Sequence, residues 1–256
     1  MTLILRKIRS RIQKALNILK KYTNRSGERF IIRFIRSRMI SRYLKNNNHP
    51  RLHLGCGPRN FKGWLNADFM RSPSYYLKAD PQIIPMDICF LPLPFPDNSI
   101  EFVYSEHVHE HITYNQGFLL AKEIKRILKP GGIFRVAGPN VDLYLDLFNR
   151  ELTEEEKPIF DKACDFLGIT AGNAPKTPLS LLNITVGEGF HEYCYNFQTL
   201  SEQLKNAGFS SVSRVEVGQS EHDGLKDMET SMYGRRQDEL LLKMALWHTF
   251  VVEATK

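Results

Sequence analysis

The chain has 256 residues, of which 42% are hydrophobic and 25% are charged. These ordinary globular proportions exclude a wholly disordered or fibrous chain, and the length suits one full domain with an appendage. No run of about 18 apolar residues occurs, so no helix is expected to span a bilayer. The four cysteines form no C-x-x-C pair, which favours a reducing compartment and a cytoplasmic location.

The net charge of +7 is distributed unevenly along the chain. Residues 1–45 contain fourteen lysines and arginines and one acidic residue, Glu28, for a net charge of +13. The other residues contain 21 basic and 27 acidic side chains, for a net charge of −6. A strongly basic N-terminal arm therefore precedes a mildly acidic body.

Hydrophobic residues recur at helical spacing in residues 8–22 and 31–39, with a break near residues 24–27. Residues 1–48 are therefore predicted to form a basic amphipathic helical arm. Such a helix suits the surface of an anionic membrane, and a helix packed on the body explains the pattern equally well. An organellar transit peptide stays open. Nucleic acid is not expected as a partner, because the body offers no matching basic patch.

Residues 49–256 alternate short strands with helices, which predicts an α/β fold with a parallel sheet. Helices are predicted over residues 118–128 and 197–207, the second with Asn196 as N-cap and Gly208 just after its end. Residues 141–195 are predicted to be a helical insertion over the carboxyl edge of the sheet. Strands are predicted at residues 51–54, 64–67, 83–88, 100–104, 133–137, 212–217 and 249–253, with Pro85 placing the third at an edge.

The first strand runs into a glycine turn, Gly55-Cys56-Gly57. Glycine at such a turn lets the backbone approach a ligand closely. Asp68 ends the second strand, eleven residues after Gly57, where a carboxylate can accept hydrogen bonds from both hydroxyls of a ribose. The spacing is too short for the dinucleotide pattern, which needs a helix between the two elements. A nucleoside cofactor without a pyrophosphate is therefore favoured.

A series of short motifs continues from this turn towards the end of the chain, in residues 52–57, 63–68, 87, 93–99, 106–111, 126–132 and 206–209. As an ordered set they resemble class I S-adenosylmethionine (SAM)-dependent methyltransferases. More narrowly, the set is similar to the bacterial "predicted SAM-dependent methyltransferases" of the type 11-like group, which are associated with cell-surface polysaccharide genes. The resemblance covers about residues 50–140 and 190–256. It implies a Rossmann-like sheet of seven strands, mostly parallel, with the last strand antiparallel.

The resemblance also implies SAM as the cofactor and assigns residues to it. The short segment between Gly57 and Asp68 departs from the family pattern and would leave the first helix vestigial. The implied cofactor-binding residues are Gly55, Cys56 and Gly57 at the methionine end, Asp68 at the ribose, Asp87 and Ile88 at the adenine, and Ser105 beside the sulfonium.

Methyl transfer to an oxygen or nitrogen atom can need a base that takes a proton from the acceptor. Histidine suits this role because its pKa lies near neutral pH. The candidates are His107, His111 and His191, with Glu106 facing the substrate and Glu110 behind. Each histidine can also be purely structural.

The predicted function is methyl transfer to a small-molecule acceptor, a hydroxyl of a sugar or lipid-linked glycan precursor. The sugar rests on the family association alone. Alternatives are a quinone or small aromatic acceptor, and a catalytically silent, membrane-docked scaffold of the same fold. Residues 107–111 also match the H-x-x-E-H pattern of inverted zinc proteases. A zinc hydrolase is the least favoured reading, because His107 directly follows a strand end, and no metal ligand is expected. The oligomeric state stays open.

Overall fold

The computed structural model describes residues 25–57, 59–69, 83–186, 191–230 and 238–256. The strands are β1 (Arg51–Leu54), β2 (Leu65–Asp68), β3 (Ile83–Pro85), β4 (Ile100–Glu106), β5 (Leu128–Pro139), β6 (Ser211–Val215) and β7 (Thr249–Thr255). The helices are α1 (Arg25–Lys45), α2 (Tyr114–Ile127), α3 (Val141–Asp146), α4 (Glu156–Phe166), α5 (Pro178–Val186), α6 (Phe197–Asn206) and α7 (Glu239–His248).

The seven strands form one sheet in the order β3-β2-β1-β4-β5-β7-β6. Strands β1 to β5 pair in parallel, and β7 pairs antiparallel with both β5 and β6. The predicted α/β fold, with a mostly parallel sheet and an antiparallel last strand, is confirmed. Because β1 and β4 are central and parallel, the turns that follow them lie side by side at the carboxyl edge of the sheet.

Strand β3 lies at the edge of the sheet, as Pro85 predicted, but it ends at Pro85 rather than at residue 88. The chain turns there because the Asp87 carboxylate accepts a hydrogen bond from the Cys89 backbone N–H at 2.9 Å. Strand β5 begins at Leu128, earlier than predicted, because α2 ends at Ile127 and the chain joins the sheet at once.

The predicted cap of α6 is confirmed. The Asn196 side chain accepts a hydrogen bond from the Thr199 N–H at 3.0 Å, and the Thr199 hydroxyl lies 3.1 Å from the Asn196 N–H. Gly208 follows the helix with a φ of +97°, a conformation that favours glycine. The cap fixes where α6 begins and therefore how the preceding segment, which carries His191, returns to the core.

The C-terminal part of α1 packs on the body. Ile40 is buried in the main hydrophobic core, with Met39 and Leu44 against it. The Tyr43 hydroxyl lies 2.8 Å from the Gly63 carbonyl oxygen and accepts a hydrogen bond from the Arg51 N–H at 2.9 Å. Residues 25–27 are helical, so the break predicted near residues 24–27 is wrong for these three residues. Residues 1–24 of the predicted arm lie outside the described residues.

The insertion forms a second hydrophobic core with α7. Tyr144, Phe160 and Leu181 pack with Leu241 and Met244. The insertion begins where β5 ends, and the Asn140 N–H bonds there to the His248 carbonyl oxygen at 2.7 Å. This places its first helix beside the carboxyl edge of the sheet. Among the described residues, no helix is both long and apolar enough to cross a membrane.

Candidate active site

The glycine turn after β1 has two positions in the left-handed region of backbone conformation. Gly55 has a φ of +66° and Gly57 a φ of +52°. A Cβ atom at Gly55 would clash with the Val108 side chain, whereas one at Gly57 would meet no described atom within 4 Å. Cys56, buried between them, donates its N–H to the Ala67 carbonyl oxygen at 3.0 Å. The turn is therefore packed at Gly55 and open at Gly57, where a ligand could approach the backbone.

Asp68 lies at the carboxyl end of β2, directly beside this opening. Its carboxylate accepts a hydrogen bond from the Gly57 N–H. Burial raises the pKa of this carboxyl above its ordinary value, while that hydrogen bond lowers it. The position suits a carboxylate that shares its oxygens with the hydroxyls of a bound ribose.

Asp87 and Ile88 follow β3, next to β2 at the same edge. The backbone is tied there by the hydrogen bond from the Met86 N–H to the Asp68 carbonyl oxygen, 2.8 Å long. Asp87 is exposed and Ile88 is half-buried. The residues assigned to ribose and adenine thus come from adjacent strand ends. No helix occurs between Gly57 and β2 in the described residues, as the short spacing predicted.

Ser105 lies near the end of β4, in register with Leu54 of β1. Its side chain is buried, and its hydroxyl oxygen has no hydrogen-bond partner within the described part of the chain. A buried hydroxyl normally has a partner, so an orphaned one beside the glycine turn fits a ligand that supplies it. The orphaned hydroxyl and the opening at Gly57 fit the predicted place of SAM.

Glu106, next to Ser105, lies in a polar network that the sequence did not predict. Its carboxylate accepts hydrogen bonds from the Arg59 guanidinium and from the Tyr104 hydroxyl, the latter at 2.7 Å. Arg59 belongs to the loop that follows the glycine turn, so this ion pair joins the cofactor side of the site to β4. Glu106 therefore has partners of its own and acts as an anchor for Arg59 rather than as an uncommitted acid facing the substrate.

His107 follows β4 with a φ of +51°, a strained conformation for a residue with a side chain. Its Nδ1 lies 2.9 Å from an oxygen of Glu110. Burial alone would lower the pKa of His107, but this hydrogen bond and the charges of Glu110 and Glu106 raise it above its ordinary value. Glu110 is buried, and although burial raises its pKa, the contact with His107 gives a net decrease. The two residues form an imidazole–carboxylate pair at the strand end.

His111 and His191 meet on the other side of Glu110, with ring centroids 4.8 Å apart. The Glu192 and Tyr193 N–H groups both donate to the Glu110 carbonyl oxygen, at 2.7 and 3.3 Å. The insertion thus returns to the turn after β4, where the sequence placed a substrate loop. Burial lowers the pKa of His191. The three candidate histidines, His107, His111 and His191, are brought together around one buried carboxylate.

Val108 connects these two halves of the site, because it packs against Gly55 while its neighbours form the histidine cluster.

His109, which was not a candidate, is buried between Phe134 and Tyr195, and burial lowers its pKa to about 4. Arg59 was also not a candidate. In the sequence it is a lone cation in a loop, and nothing near it indicates that its side chain contacts Glu106.

Comparison with known proteins agrees with this architecture. Residues 52–136 match the family model described as a methyltransferase domain. A 47-residue segment is 47% identical to the sterol 24-C-methyltransferase of Gibberella zeae, covering 18% of this chain and 12% of that protein. The matched segment therefore spans about an eighth of the length of that curated relative.

Solved structures with similar chain traces have low sequence identity. A SAM-dependent methyltransferase from Archaeoglobus fulgidus is 13% identical with a TM-score of 0.47, covering 88% of this chain and 94% of that one. A SAM-dependent methyltransferase from Mesorhizobium loti is 14% identical with a TM-score of 0.46, covering 81% and 90%. A possible histamine N-methyltransferase from Thermotoga maritima is 15% identical with a TM-score of 0.45, covering 90% and 97%.

The family match falls on the part of the sheet that carries the glycine turn and Asp68. Residues 52–136, which match the methyltransferase-domain model, also contain the ends of β2 and β4.

Proposed function

We propose that this chain transfers the methyl group of SAM to a hydroxyl of a small acceptor, a sugar or a lipid-linked glycan precursor. The observation that supports it most is the contact between the two halves of the site. The open glycine turn with Asp68 adjoins the cluster of His107, His111 and His191 through Val108 and the Arg59–Glu106 ion pair. A cofactor on one side would thus face a group of potential proton acceptors on the other.

SAM supplies a methyl group already activated by its sulfonium. In the transfer, a bond forms between the methyl carbon and the acceptor oxygen while the carbon–sulfur bond breaks and its electron pair goes to sulfur. The hydroxyl proton leaves to a base. This chain would bind the ribose through Asp68, hold the methionine end at Gly55 to Gly57, exclude water and orient the acceptor.

The histidine cluster favours an acceptor that loses a proton, such as a hydroxyl, over one that does not. His107, His111 and His191 are the candidates to take that proton. The sugar or glycan identity is supported by the family resemblance of the sequence. The curated relative is by name a sterol methyltransferase, and it matches this chain over 47 residues only.

We further propose a cytoplasmic enzyme whose arm holds it at an anionic membrane surface. Residues 1–32 contain nine lysines and arginines and one acidic residue, and each such cation near an anionic surface contributes about 1 kcal/mol. Removing residues 1–45 would also remove Ile40 and Tyr43, which pack on the body. The informative truncation is therefore residues 33–256. It should sediment less with phosphatidylserine vesicles than the full chain, and equal sedimentation would contradict the membrane proposal.

Methyl transfer is tested with tritium-labelled SAM and a panel of sugars, lipid-linked glycans, quinones and catechols. We expect label in a hydroxyl of a glycan acceptor, and at least a tenfold lower rate for His107→Ala, whereas His49→Ala on the surface keeps the rate. Label in a quinone or catechol instead would overturn the acceptor class. S-adenosylhomocysteine (SAH) binding without transfer to any acceptor would identify a silent scaffold.

A further inference from the structure

The carboxylate of Glu110 and the imidazoles of His111 and His191 come together at the acceptor side of the site. One ligand atom from each of the three side chains lies within 4.8 Å of the other two. We propose that these three residues bind a divalent transition-metal ion. The role given to this ion below rests on the proposed function, whereas the binding itself does not.

The chemistry of the donors supports a transition metal. Two imidazole nitrogens and one carboxylate oxygen are the protein ligands of many catalytic zinc sites, which keep a further position open. Magnesium prefers oxygen ligands throughout, so it suits this set less well. Zinc–ligand distances near 2.1 Å correspond to about 3.4 Å between neighbouring ligand atoms. Ligand atoms that lie up to 4.8 Å apart must therefore approach by up to about 1.4 Å. The His111 side chain is exposed, which leaves room for it to turn.

The surroundings of the cluster hold two of these ligands in place. The Nδ1 of His191 hydrogen-bonds to the Thr185 carbonyl oxygen, which can only accept. That bond therefore fixes the hydrogen on Nδ1 and leaves the lone pair of Nε2 available. Glu110 is held by His107 through a 2.9 Å hydrogen bond. Outer partners of this kind, a carbonyl behind a histidine and a hydrogen bond behind a carboxylate, are typical of metal ligands.

Backbone hydrogen bonds hold the end of the insertion against the turn that follows β4. The Glu192 and Tyr193 N–H groups bond to the Glu110 carbonyl oxygen. His191, at the end of the insertion, is thereby held beside the turn after β4. The site thus differs from the H-x-x-E-H pattern in the sequence, since His107 supports Glu110 and the third ligand comes from His191, eighty residues after His111.

Three protein ligands leave room on the ion for an oxygen of the acceptor. Binding there would place the hydroxyl beside the cofactor and lower the pKa of that hydroxyl. With His111 and His191 on the ion, His107 is the candidate left to take the hydroxyl proton, and the bond from the methyl carbon to the acceptor oxygen still forms as the carbon–sulfur bond breaks. The ion would therefore act on the acceptor and leave the cofactor-binding residues Gly57 and Asp68 untouched.

The test uses the full chain, stripped of metal with a chelator and titrated calorimetrically with zinc or manganese chloride alone. Metal per chain is then counted by mass spectrometry after dialysis. We expect one ion per chain, and at least about 100-fold weaker binding for His111→Ala and for His191→Ala, since even outer partners of a metal contribute 10- to 100-fold. His49→Ala is the matched control, because His49 is an exposed histidine that contacts Glu101 at 2.6 Å, and it should bind like wild type.

Absence of binding, or equal binding by all four proteins, overturns the site. Circular dichroism melts of the same samples establish that each variant is folded, and His111, being exposed, is the variant least disturbing to the fold. SAH titrations on these samples separate the two proposals. SAH binding without metal binding overturns the metal site alone, whereas metal binding without SAH binding overturns the proposed function alone.

Discussion

Two clusters of buried charge differ sharply in how completely their polar atoms are paired. Arg135, fully buried in β5, donates from Nε and Nη2 to the two carboxylate oxygens of Glu229, each at 2.8 Å. Its Nη1 donates to Glu253 and to the Gln219 carbonyl oxygen. Beside Glu110, by contrast, neither ring nitrogen of the buried His109 has a hydrogen-bond partner among the described residues, and nor does the Ser105 hydroxyl near the end of β4.

The difference separates a structural role from a functional one. A buried network whose members are all satisfied stabilises one arrangement of the chain, and here it ties the segment with Glu229 to β5 and β7. Unpaired polar atoms in a buried site carry a desolvation penalty that a ligand can remove. We therefore expect the Arg135 cluster to contribute stability and the carboxyl edge of the sheet to contribute binding.

The largest effect is expected in the structural cluster. Glu229→Ala leaves the Arg135 charge buried with one of its partners gone, and breaking a buried ion pair typically costs about 3–5 kcal/mol. Urea unfolding should show this loss, while SAH affinity of the folded protein stays unchanged. Asp223→Ala, an exposed acid of the same segment paired with Lys226, serves as the control. A SAH affinity that falls with Glu229→Ala would contradict the separation of roles.

The glycine turn allows a matched pair of substitutions. Gly55→Ala adds a positive-φ strain of about 1–2 kcal/mol and a clash with Val108 of about 1–3 kcal/mol. Gly57→Ala adds the same strain without the clash. We therefore expect Gly55→Ala to lower the free energy of unfolding by about 2–5 kcal/mol, and Gly57→Ala to lower it less but to weaken SAH binding. Equal stability losses would show that the opening at Gly57 is filled by the chain itself.

Acid titration extends the comparison to a buried histidine outside both clusters. Burial lowers the pKa of His53 to about 4, although its Nδ1 lies 3.2 Å from the Asn66 oxygen. The unfolded chain takes up this proton near pH 6.5 and the folded chain near pH 4. The stability from this group is thus complete above pH 6.5 and is lost as the pH falls towards 4, by about 3 kcal/mol.

His53→Gln should flatten the fall in unfolding free energy between pH 6.5 and 4, measured by urea titrations at each pH. His49→Gln on the surface should leave that fall unchanged. If His53→Gln has the same acid profile as wild type, the histidine is not kept neutral by burial.

Local patterns predicted much of this fold because their causes are local. The glycine turn, the Asn196 cap and the edge position of β3 each follow from the conformational limits of a few adjacent residues. The break predicted near residues 24–27 is wrong for residues 25–27, because Gly27 weakens a helix without ending it.

Ion pairs between residues far apart in the chain could not be predicted from the sequence. Arg135 lies between apolar neighbours in a predicted strand, a sign of an internal partner, but nothing local points to Glu229 almost a hundred residues later. Arg59 reaches Glu106 across 47 residues for the same reason. The sequence identified His107, His111 and His191 one by one. It did not predict that they would lie together around Glu110, because that depends on where the end of the insertion packs on the sheet.

The most direct test of the account is calorimetric titration of the full chain and of Asp68→Asn with SAH. The wild-type chain is predicted to bind one SAH per chain with micromolar affinity. Asp68→Asn should bind about 100-fold more weakly, a loss of about 2.7 kcal/mol, because hydrogen bonds to a charged group are each worth about 1.5–3 kcal/mol. Asp161→Asn, an exposed acid in α4 that contacts Lys176, should bind like wild type. A folded wild-type chain that binds no SAH, or an Asp68→Asn variant of unchanged affinity, would contradict the assignment of the sheet edge to the cofactor.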